Sequence, residues 1–285
     1  MLGNGSIGRK HKSIINKLRK NIKIKIINSD KEYSNYNLKE HNPDLVVVAS
    51  PTYTHLKYLK DIDKKLKKKI VLVEKPLFNK YLNFKKNLNN KNKIFVAYNL
   101  RFHPVIQFLK HFLKGKKVFF AKSFCMSYLP DWRKKNYKKT YSASRKFGGG
   151  VSLDLSHELD YLTWLLGEIK VIFRKSAKIS NLKIKSDDVF NLIGKTTNNL
   201  ILNLTLSYAS RVEKRIIIID GNTFSLYGDL NKGFLEIKSK NNTKKIKFKS
   251  VNQKNTIELM YKYIFKENYN YLCTMSDGNK ILKII

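Results

Sequence analysis

The chain begins with MLGNGSIGRKHKSII, residues 1–15, and this stretch decides how the fold is interpreted. Its three glycines, Gly3, Gly5 and Gly8, follow the spacing G-x-G-x-x-G, and apolar residues at helical spacing come after them. Glycines at this spacing form the turn between a buried strand and a helix whose first N–H groups suit a dinucleotide pyrophosphate. Such a triplet also occurs in ordinary turns, so the rest of the chain must supply the context.

The strand that should precede these glycines is represented only by Met1 and Leu2. In a sheet of this kind the first strand is central, and its loss leaves neighbouring backbone groups without hydrogen-bond partners. We therefore expect the natural reading frame to start upstream and to add several apolar residues. A decayed gene, whose product binds its cofactor poorly, is the alternative.

Four apolar segments follow the glycines and are separated by stretches of helical periodicity. They cover residues 22–27, 43–52, 68–76 and 92–99. Strands that alternate with helices predict βαβ units and a parallel sheet. The last three segments end in polar residues, which are Ser50 to Thr52, Glu74 and Lys75, and Tyr98 and Asn99. Because ligands of such sheets bind beyond the carboxyl ends of the strands, we expect a cofactor there.

The pattern changes after about residue 100. A helix is predicted near residues 103–113, and another after a run of three glycines at 148–150. Between residues 171 and 250 apolar and polar residues alternate, which predicts an antiparallel sheet with one solvated face. The sequence thus predicts an α/β domain with a doubly wound parallel sheet over residues 1–100. An α+β domain with an open, mostly antiparallel sheet is predicted over residues 101–285.

The net charge of +37, from 58 Lys and Arg against 21 Asp and Glu residues, raises the question of nucleic-acid binding. Only eight of the basic residues are Arg, however, the side chain that base and phosphate recognition favours. We interpret the lysines as solvated surface residues and expect no nucleic-acid partner. Their field still attracts anionic small molecules, including nucleotides.

The cysteines and the hydropathy of the sequence indicate in which environment the protein works. Cys125 and Cys273 lie far apart without C-x-x-C spacing, so the sequence predicts neither a metal site nor a disulfide. A reduced, cytoplasmic location is therefore expected. No apolar run approaches the roughly 18 residues of a membrane span, so none is predicted.

Two charged residues in the first hundred are candidates for the site. Asp30, just past the second apolar segment, either accepts a hydrogen bond from a ribose 2′-hydroxyl or belongs to a plain surface turn. Lys31 beside it could instead bind the 2′-phosphate of NADP, so both NAD and NADP remain candidates. Lys75 precedes Pro76, which holds Lys75 in an extended conformation at the end of a buried strand. A lysine held in this way can orient or protonate an oxygen, although it can equally be one more solvated lysine.

The segment GGGVSLDLSHELD, residues 148–160, carries a second candidate pair. Asp154 and His157 are three residues apart and share one face of the helix predicted after the glycines. A histidine beside a carboxylate is suited to accept the proton of a substrate hydroxyl as hydride leaves the same carbon. The alternative is that Asp154 caps the helix and His157 is a buried histidine with satisfied hydrogen bonds.

Taken together, these motifs resemble the glucose-fructose oxidoreductase and inositol dehydrogenase family, Gfo/Idh/MocA. The resemblance rests on five motifs in order: GNGSIGRKH (3–11), PDLVVVASPTYTH (43–55), EKP (74–76), YNLRFHP (98–104) and the GGG…D..H..D segment (148–160). Residues 127–143, SYLPDWRKKNYKKTYSA, further resemble a subgroup tied to surface-polysaccharide sugars. The resemblance implies an N-terminal Rossmann domain with its first strand truncated, and a C-terminal sheet that forms homodimers or homotetramers.

The resemblance also implies the site. Lys75 would be the active-site lysine, Asp154 its acidic partner and His157 the proton acceptor. The residues expected to bind the cofactor, NAD or NADP, are Gly3, Gly5, Ser6, Ile7, Gly8, Asp30, Ser50, Pro51, Thr52, His55, Glu74 and Lys75. Trp132 and Tyr141 are expected to border the sugar, and Arg101 to hold a structural carboxylate or an anionic group of the substrate, the structural role being favoured.

The implied activity is NAD(P)-dependent hydride transfer to or from a hydroxyl or keto carbon of a sugar, expected to be nucleotide-linked or otherwise anionic. Two alternatives stay open, a relative that cleaves a glycosidic bond through transient oxidation and a truncated, non-catalytic member. In the usual family pattern four positions separate the aspartate and the histidine, whereas here three do, which rotates the histidine by about 100° on a helix.

Overall fold

The strands form two separate sheets in the computed structural model, which describes residues 1–83, 88, 91–134 and 136–285. The chain divides into two compact units. The first contains Met1–Tyr98 and Ile257–Lys283, and the second contains Asn99–Thr256 with Ile284–Ile285. The α/β class with one parallel and one mostly antiparallel sheet is confirmed. Residues 257–283, which the sequence division at residue 100 assigns to the second domain, pack with the first.

The first unit is built on a sheet of four strands in the order β1-β2-β3-β12. Its three parallel strands are β1 (Leu45–Val48), β2 (Ile70–Val73) and β3 (Lys93–Val96), and β12 (Cys273–Thr274) pairs antiparallel with β3. The described helices of this unit are α1 (Ser6–Leu18), α2 (Asp30–Ser34), α3 (Leu38–His41), α4 (His55–Lys65), most of α8 (Gln253–Phe265) and most of α9 (Met275–Ile284).

Before the glycines, one residue, Leu2, lies where a central strand of the sheet would lie. Leu2 is buried and forms parallel bridges with both Ile27 and Val48. The strand predicted over residues 22–27 is wrong, because only Ile27 pairs. A strand forms only where a neighbouring backbone supplies partners, and within residues 22–27 Met1–Gly3 supplies them to Lys25 and Ile27 only.

The second unit is built on eight strands in the order β11-β10-β9-β8-β4-β7-β6-β5. All neighbours are antiparallel except β4 and β7, which are parallel. The strands are β4 (Val118–Tyr128), β5 (Ile169–Ala177), β6 (Val189–Thr196), β7 (Ile201–Ser207), β8 (Ala209–Gly221), β9 (Phe224–Asp229), β10 (Phe234–Ser239) and β11 (Asn242–Lys247).

One face of this sheet is covered and the other is open. On β7 the side chains of Leu202, Leu204 and Leu206 are buried, whereas Ile201 on the opposite face is 38% exposed. This alternation is the period of two that places successive side chains on opposite faces. The described helices of the unit are α5 (Pro104–Phe112), α6 (Val151–Asp154) and α7 (His157–Leu166).

The helix predicted after the three glycines is two helices. Helix α6 ends at Asp154 and α7 begins at His157. The amide and the hydroxyl of Ser156 both donate to the carbonyl of Leu153, which tightens the turn between them. Asp154 and His157 therefore do not share the face of one regular helix.

Helix α5 begins at a buried histidine that acts as its N-cap. Nδ1 of His103 accepts the hydrogen bond from the Val105 amide, and Nε2 donates to the carbonyl of Leu230. Only the neutral imidazole makes both bonds. Accordingly, burial lowers the pKa of His103 from 6.5 to about 4.

We expect the stability of this unit to depend on pH through His103. Because the folded pKa lies below the unfolded one, its contribution is complete above pH 6.5 and is lost as the pH falls toward 4, by about 3 kcal/mol. His103→Asn keeps a capping side chain without the titration. The free energy of unfolding in urea at pH 7 and pH 4.5 should differ by about 2 kcal/mol less in this variant. His111→Asn, an exposed position in the same helix, is the control and should keep the wild-type difference.

Candidate functional site

Each glycine of the first motif has its own structural reason. Gly3 has a φ of +99°, and a Cβ there would lie 2.6 Å from the carbonyl oxygen of Ala49. A Cβ on Gly8 would collide with the carbonyl oxygen of Gly3, so this glycine allows α1 to pack closely. Gly5 differs, because a Cβ built there meets no protein atom within 4 Å. The first and third glycines serve the fold, and the second leaves space above the helix.

That space lies at the N-terminus of α1, whose amides are available to an anion. Gly5 is the N-cap and provides no side-chain hydrogen bond, and the first turn contains no acidic residue. The amide of Arg9 is the first to bond within the helix, to the carbonyl of Gly5. The N–H groups and the positive end of the helix dipole thus face a gap of the kind that a pyrophosphate occupies. Ser6 and Ile7 belong to the same turn.

The loop after β1 is held by a buried histidine. Nε2 of His55 lies 3.0 Å from the carbonyl oxygen of Ser50, and Nδ1 lies 3.0 Å from that of Leu77. Burial lowers the pKa of His55, while the two carbonyls act in the opposite direction. His55 therefore links the loop after β1 to the loop after β2. Within the first loop Thr52 is buried, Pro51 is exposed, and the Ser50 and Thr54 hydroxyls are 2.7 Å apart.

The loop after β2 is held by a buried series of hydrogen bonds that runs from Glu74 through His11 to Tyr261. Oε1 of Glu74 lies 2.7 Å from Nε2 of His11, and Nδ1 of His11 lies 2.8 Å from the hydroxyl of Tyr261. His11 and Tyr261 are fully buried. A carboxylate only accepts, so Nε2 of His11 donates to Glu74, and Nδ1 of the neutral ring then accepts from the hydroxyl of Tyr261. The amide of Lys75 donates to Oε2 of Glu74, so this chain fixes the backbone that carries Lys75.

Asp30 is the first residue of α2 and has both carboxylate oxygens engaged. Lys57 Nζ donates to one oxygen at 2.7 Å, and the Tyr58 hydroxyl donates to the other at 2.6 Å. These two hydrogen bonds, first that of Lys57, lower the pKa of Asp30. The carboxylate is therefore ionised at neutral pH and its outer lone pairs face solvent.

The glycines at 148–150 position the acidic end of α6. Gly148 and Gly150 have φ values of +84° and +115°, and a Cβ on Gly150 would collide with the Asp187 carboxylate. Asp187 accepts hydrogen bonds from the Ser152 amide at 2.9 Å and from Arg145 at 3.1 Å. The carboxylate thus caps the start of α6 and fixes the helix that ends at Asp154.

Asp154 is buried and bonded to a tyrosine from the sheet. Its Oδ2 accepts a hydrogen bond of 2.5 Å from the hydroxyl of Tyr208, which follows β7. The negative charge of Asp154, together with burial, raises the pKa of Tyr141. The pKa of Tyr208 is also raised, first by burial and then by Asp154. Two tyrosine side chains therefore surround this carboxylate, and both stay protonated at neutral pH.

His157 is the first residue of α7 and lines a cavity of about 580 Å³ in the second unit. Its side chain is largely buried, with 8% of the residue exposed. The other lining residues are Asn99, Leu100, His103, Glu213, Arg215, Leu230, Asn231, Val251, Asn252 and Gln253. An imidazole at the wall of a polar cavity of this size can exchange a proton with a bound molecule.

Arg101 and Trp132 make contacts within the protein. Arg101 is buried and donates three hydrogen bonds of 2.8 to 3.1 Å to the carboxylate of Asp160 in α7. This bidentate pair supports the structural role that the sequence favoured. The indole N–H of Trp132 donates to Ser127 Oγ, and its ring packs edge-on against Tyr208.

Breaking the Arg101–Asp160 pair should cost stability because it leaves a buried carboxylate without a countercharge. We expect Arg101→Met to lower the free energy of unfolding by about 3–5 kcal/mol. The double variant Arg101→Met, Asp160→Leu removes both charges and should recover most of that loss. Urea unfolding measures both. A single variant that loses less than about 1 kcal/mol would contradict a tightly paired buried guanidinium.

Sequence reasoning did not find three residues that hold the candidate side chains. Tyr261 supports His11 across 250 positions, Asp187 caps α6 across 35, and Tyr208 bonds Asp154 across 54. No local motif marks any of them. The apolar spacing of the C-terminal helix does place Tyr261 on its buried stripe, but not the partner of its hydroxyl.

The described residues offer neither a metal site nor a membrane-spanning helix. No group of three or more His, Cys, Asp or Glu side chains in these ranges is arranged to hold a metal ion. Within the same ranges, no helix combines the length and the apolar character needed to cross a membrane.

Comparison with known proteins gives one family match and many similar folds. Residues 115–232 match the GFO/IDH/MocA C-terminal domain family. No curated protein sequence matches the chain. Levoglucosan dehydrogenase in complex with NADH and levoglucosan has a similar structure, with a TM-score of 0.81 at 13% identity, over 99% of this chain and 93% of that one.

Two further solved structures are similar to a slightly lower degree. UDP-N-acetylglucosamine 3-dehydrogenase GnnA from Acidithiobacillus ferrooxidans gives a TM-score of 0.74 at 15% identity, over 99% of this chain and 93% of that one. The WlbA dehydrogenase from Bordetella pertussis, in complex with NADH and UDP-GlcNAcA, gives 0.74 at 15%, over 99% and 91%. The chain therefore has the fold of these sugar dehydrogenases, and its residues 115–232 match the C-terminal domain of the Gfo/Idh/MocA family.

Proposed function

We propose that the protein is an NAD-dependent oxidoreductase of the Gfo/Idh/MocA family that transfers hydride between nicotinamide and a hydroxyl or keto carbon of a sugar. The observation that carries the proposal is the space at Gly5. A Cβ would be accommodated there by the protein alone, yet the position is a glycine at the open N-terminus of α1. A bound pyrophosphate accounts for this combination.

The proposed cofactor supplies the hydride acceptor and donor when bound. Gly5, Ser6 and Ile7 would bind its pyrophosphate, and Asp30 its adenosine ribose. An ionised Asp30 repels a 2′-phosphate and accepts from a 2′-hydroxyl, which favours NAD over NADP. Ser50, Pro51, Thr52 and Glu74 are proposed to border the remainder of the cofactor. His55, with both ring nitrogens at backbone carbonyls, is proposed to position these loops.

The proposed chemistry assigns a role to each of three side chains. His157 accepts the proton of the sugar hydroxyl during oxidation and returns it during reduction. The negative charge of Asp154, held by Tyr208, favours the cationic form of a neighbouring base or acid. Lys75 orients the reacting oxygen with its ammonium group, on a backbone fixed by Glu74.

The sugar is proposed by analogy with the similar structures, which are a levoglucosan dehydrogenase, a UDP-N-acetylglucosamine 3-dehydrogenase and a dehydrogenase in complex with UDP-GlcNAcA. A sugar of surface-polysaccharide metabolism, free or nucleotide-linked, is the proposed class. Both cysteines are free and buried thiols, which supports the proposed cytoplasmic location.

Titration with NADH and with NADPH, followed by nicotinamide fluorescence, tests the proposed function. We expect NADH to bind more tightly than NADPH, and NADH to appear when NAD is incubated with a panel of free and UDP-linked sugars. Absence of binding by either nucleotide would overturn the proposal.

We also propose that the open face of the second sheet forms a homodimer or homotetramer. A row across the sheet places Phe173, Ile193, Ile218 and Tyr227 on this face, and three of the four are at least 38% exposed. Asn203 and Lys122 lie between Ile193 and Ile218 in this row, so its apolar side chains form two groups. Exposed apolar groups of this kind are typical of a protein contact surface.

A charge on this face should disrupt self-association. We expect Ile193→Glu to reduce the molar mass measured by light scattering to that of a 33.4 kDa monomer. Ile179→Glu, at a position that is 69% exposed and outside the strands, is the matched control and should leave the oligomer intact. A wild-type protein that is monomeric at all concentrations would refute the proposed interface.

A further inference from the structure

The cavity beside His157 has an unusual charge for this chain. Its wall contains one arginine, Arg215, and one carboxylate, Glu213, among amide and apolar side chains. The chain as a whole carries a net charge of +37, yet none of the lysines in the described part of the chain lines this cavity. Among the described residues, the charges that a ligand meets there therefore come from Glu213 and Arg215 of strand β8.

The positive charge of Arg215 is already balanced inside the protein. Its Nε lies 2.8 Å from Oε1 of Glu158, which is fully buried in α7. His103, also in the wall, adds no charge at neutral pH, because its pKa is lowered to about 4 and its Nε2 donates to Leu230. An anion entering the cavity would thus find a guanidinium that a buried carboxylate neutralises.

The negative charge of Glu213, in contrast, is not balanced by a neighbouring side chain in the described part of the chain. Its carboxylate is exposed at the cavity wall and has no hydrogen bond or ion pair with any residue in the described part of the chain. Glu213 and Arg215 are two positions apart on β8, and both side chains line the cavity. A free carboxylate accepts two hydroxyl hydrogen bonds, and a guanidinium donates to hydroxyl or ring oxygens.

We propose that this cavity binds the hydroxyl groups of an uncharged sugar ring, that Glu213 and Arg215 determine this specificity, and that a ring carboxylate is excluded. The inference rests on the proposed function only in taking a sugar as the ligand. It narrows the substrate class, because the anionic sugars suggested by the basic composition would place a carboxylate next to Glu213. Any phosphate of a nucleotide-linked sugar would lie outside the cavity.

Sugar pairs that differ only in one carboxylate test this specificity. Dissociation constants are measured by NMR titration of the full chain, without cofactor, for glucose and glucuronate, galactose and galacturonate, and mannose and mannuronate. We expect at least one neutral sugar to bind at least about fivefold more tightly than its uronate, because an ion near Glu213 at effective dielectric constants of 20 to 80 loses about 1 to 4 kcal/mol.

Variants of the same glutamate give the direction of the effect. Glu213→Gln should reduce the preference for the neutral sugar to less than about threefold, and Glu213→Lys should reverse it. Glu236→Gln on β10 changes the net charge equally, but this residue pairs with Lys238 and Lys245 outside the cavity, so it should keep the wild-type preference. Thermal unfolding confirms that each variant folds.

Equal or tighter binding of the uronates by the wild type, the same preference in Glu213→Gln as in the wild type, or no binding of any sugar would overturn the inference. NADH titration on the same samples shows whether a negative result refutes this inference or the proposed function. NADH binding with a uronate preference would refute the inference alone. A neutral-sugar preference without NADH binding would refute the proposed function alone.

Discussion

Gly5→Asp should weaken NADH binding by about 100-fold or more without unfolding the protein. The new side chain enters space where no protein atom lies within 4 Å, and the φ of −65° at this position is open to any residue. Aspartate is a favourable N-cap, so α1 itself should be stabilised by some tenths of a kcal/mol. The same carboxylate occupies the space of the pyrophosphate and repels its charge. Fluorescence titration and thermal unfolding of the same sample measure the two effects.

Three comparison variants assign the cause of the loss at Gly5. Gly5→Asn has nearly the same shape without the charge, so the difference between the two variants reports repulsion. Ser13→Asp adds the same charge at an exposed position further along α1 and should bind NADH normally. Gly8→Ala should lose stability, because its Cβ collides with the carbonyl of Gly3. Normal NADH affinity in a folded Gly5→Asp variant would show that the pyrophosphate does not bind next to Gly5.

His157→Asn should lower kcat by about 10² to 10⁴ while leaving NADH affinity unchanged. Loss of a positioned general base has this magnitude, and asparagine retains a polar side chain at the start of α7 without a titratable group. The limb of the pH–rate profile that reports the base should disappear as well. The measurement is steady-state kinetics over pH with the best sugar of the panel.

The control for His157→Asn is His111→Asn, an exposed histidine of α5. It should keep the wild-type kcat and pH profile. A His157→Asn variant with kcat within twofold of the wild type would show that another group moves the proton. A fall in NADH affinity with unchanged kcat would show that His157 serves binding only.

Local patterns predicted the parts of the fold that local forces determine. The buried strands at residues 45–48, 70–73 and 93–96 are short, continuously apolar segments, and the structure has strands at each. The alternation of apolar and polar residues between residues 171 and 250 predicted an antiparallel sheet with one open face. A half-buried strand needs apolar residues on one side only. The motif glycines were predictable for the same reason, since their spacing follows the geometry of a single turn.

The remaining features depend on contacts between distant residues. The segment 22–27 has the composition of a strand but finds backbone partners only near Ile27. The break at Leu155 and Ser156 follows from a side-chain hydrogen bond to Leu153, which apolar periodicity does not record. Residues 257–283 return to the first unit through the β3–β12 pairing, a choice that depends on the available sheet edge.

The same distinction holds for the candidate site. The types and order of Lys75, Asp154 and His157 were visible in the sequence because each lies in a short motif. Their supports were not visible, because Tyr261, Tyr208 and Asp187 act through hydrogen bonds that cross 35 or more residues.

The most direct test of the account is the response of the α1 backbone amides to NADH. Two-dimensional amide NMR of the full chain should show the largest shifts at Gly5, Ser6, Ile7 and Gly8, where the free N–H groups meet the pyrophosphate. Inorganic pyrophosphate should shift the same amides more weakly. If saturating NADH leaves these four resonances in place, the N-terminus of α1 is not the cofactor site and the central claim is wrong.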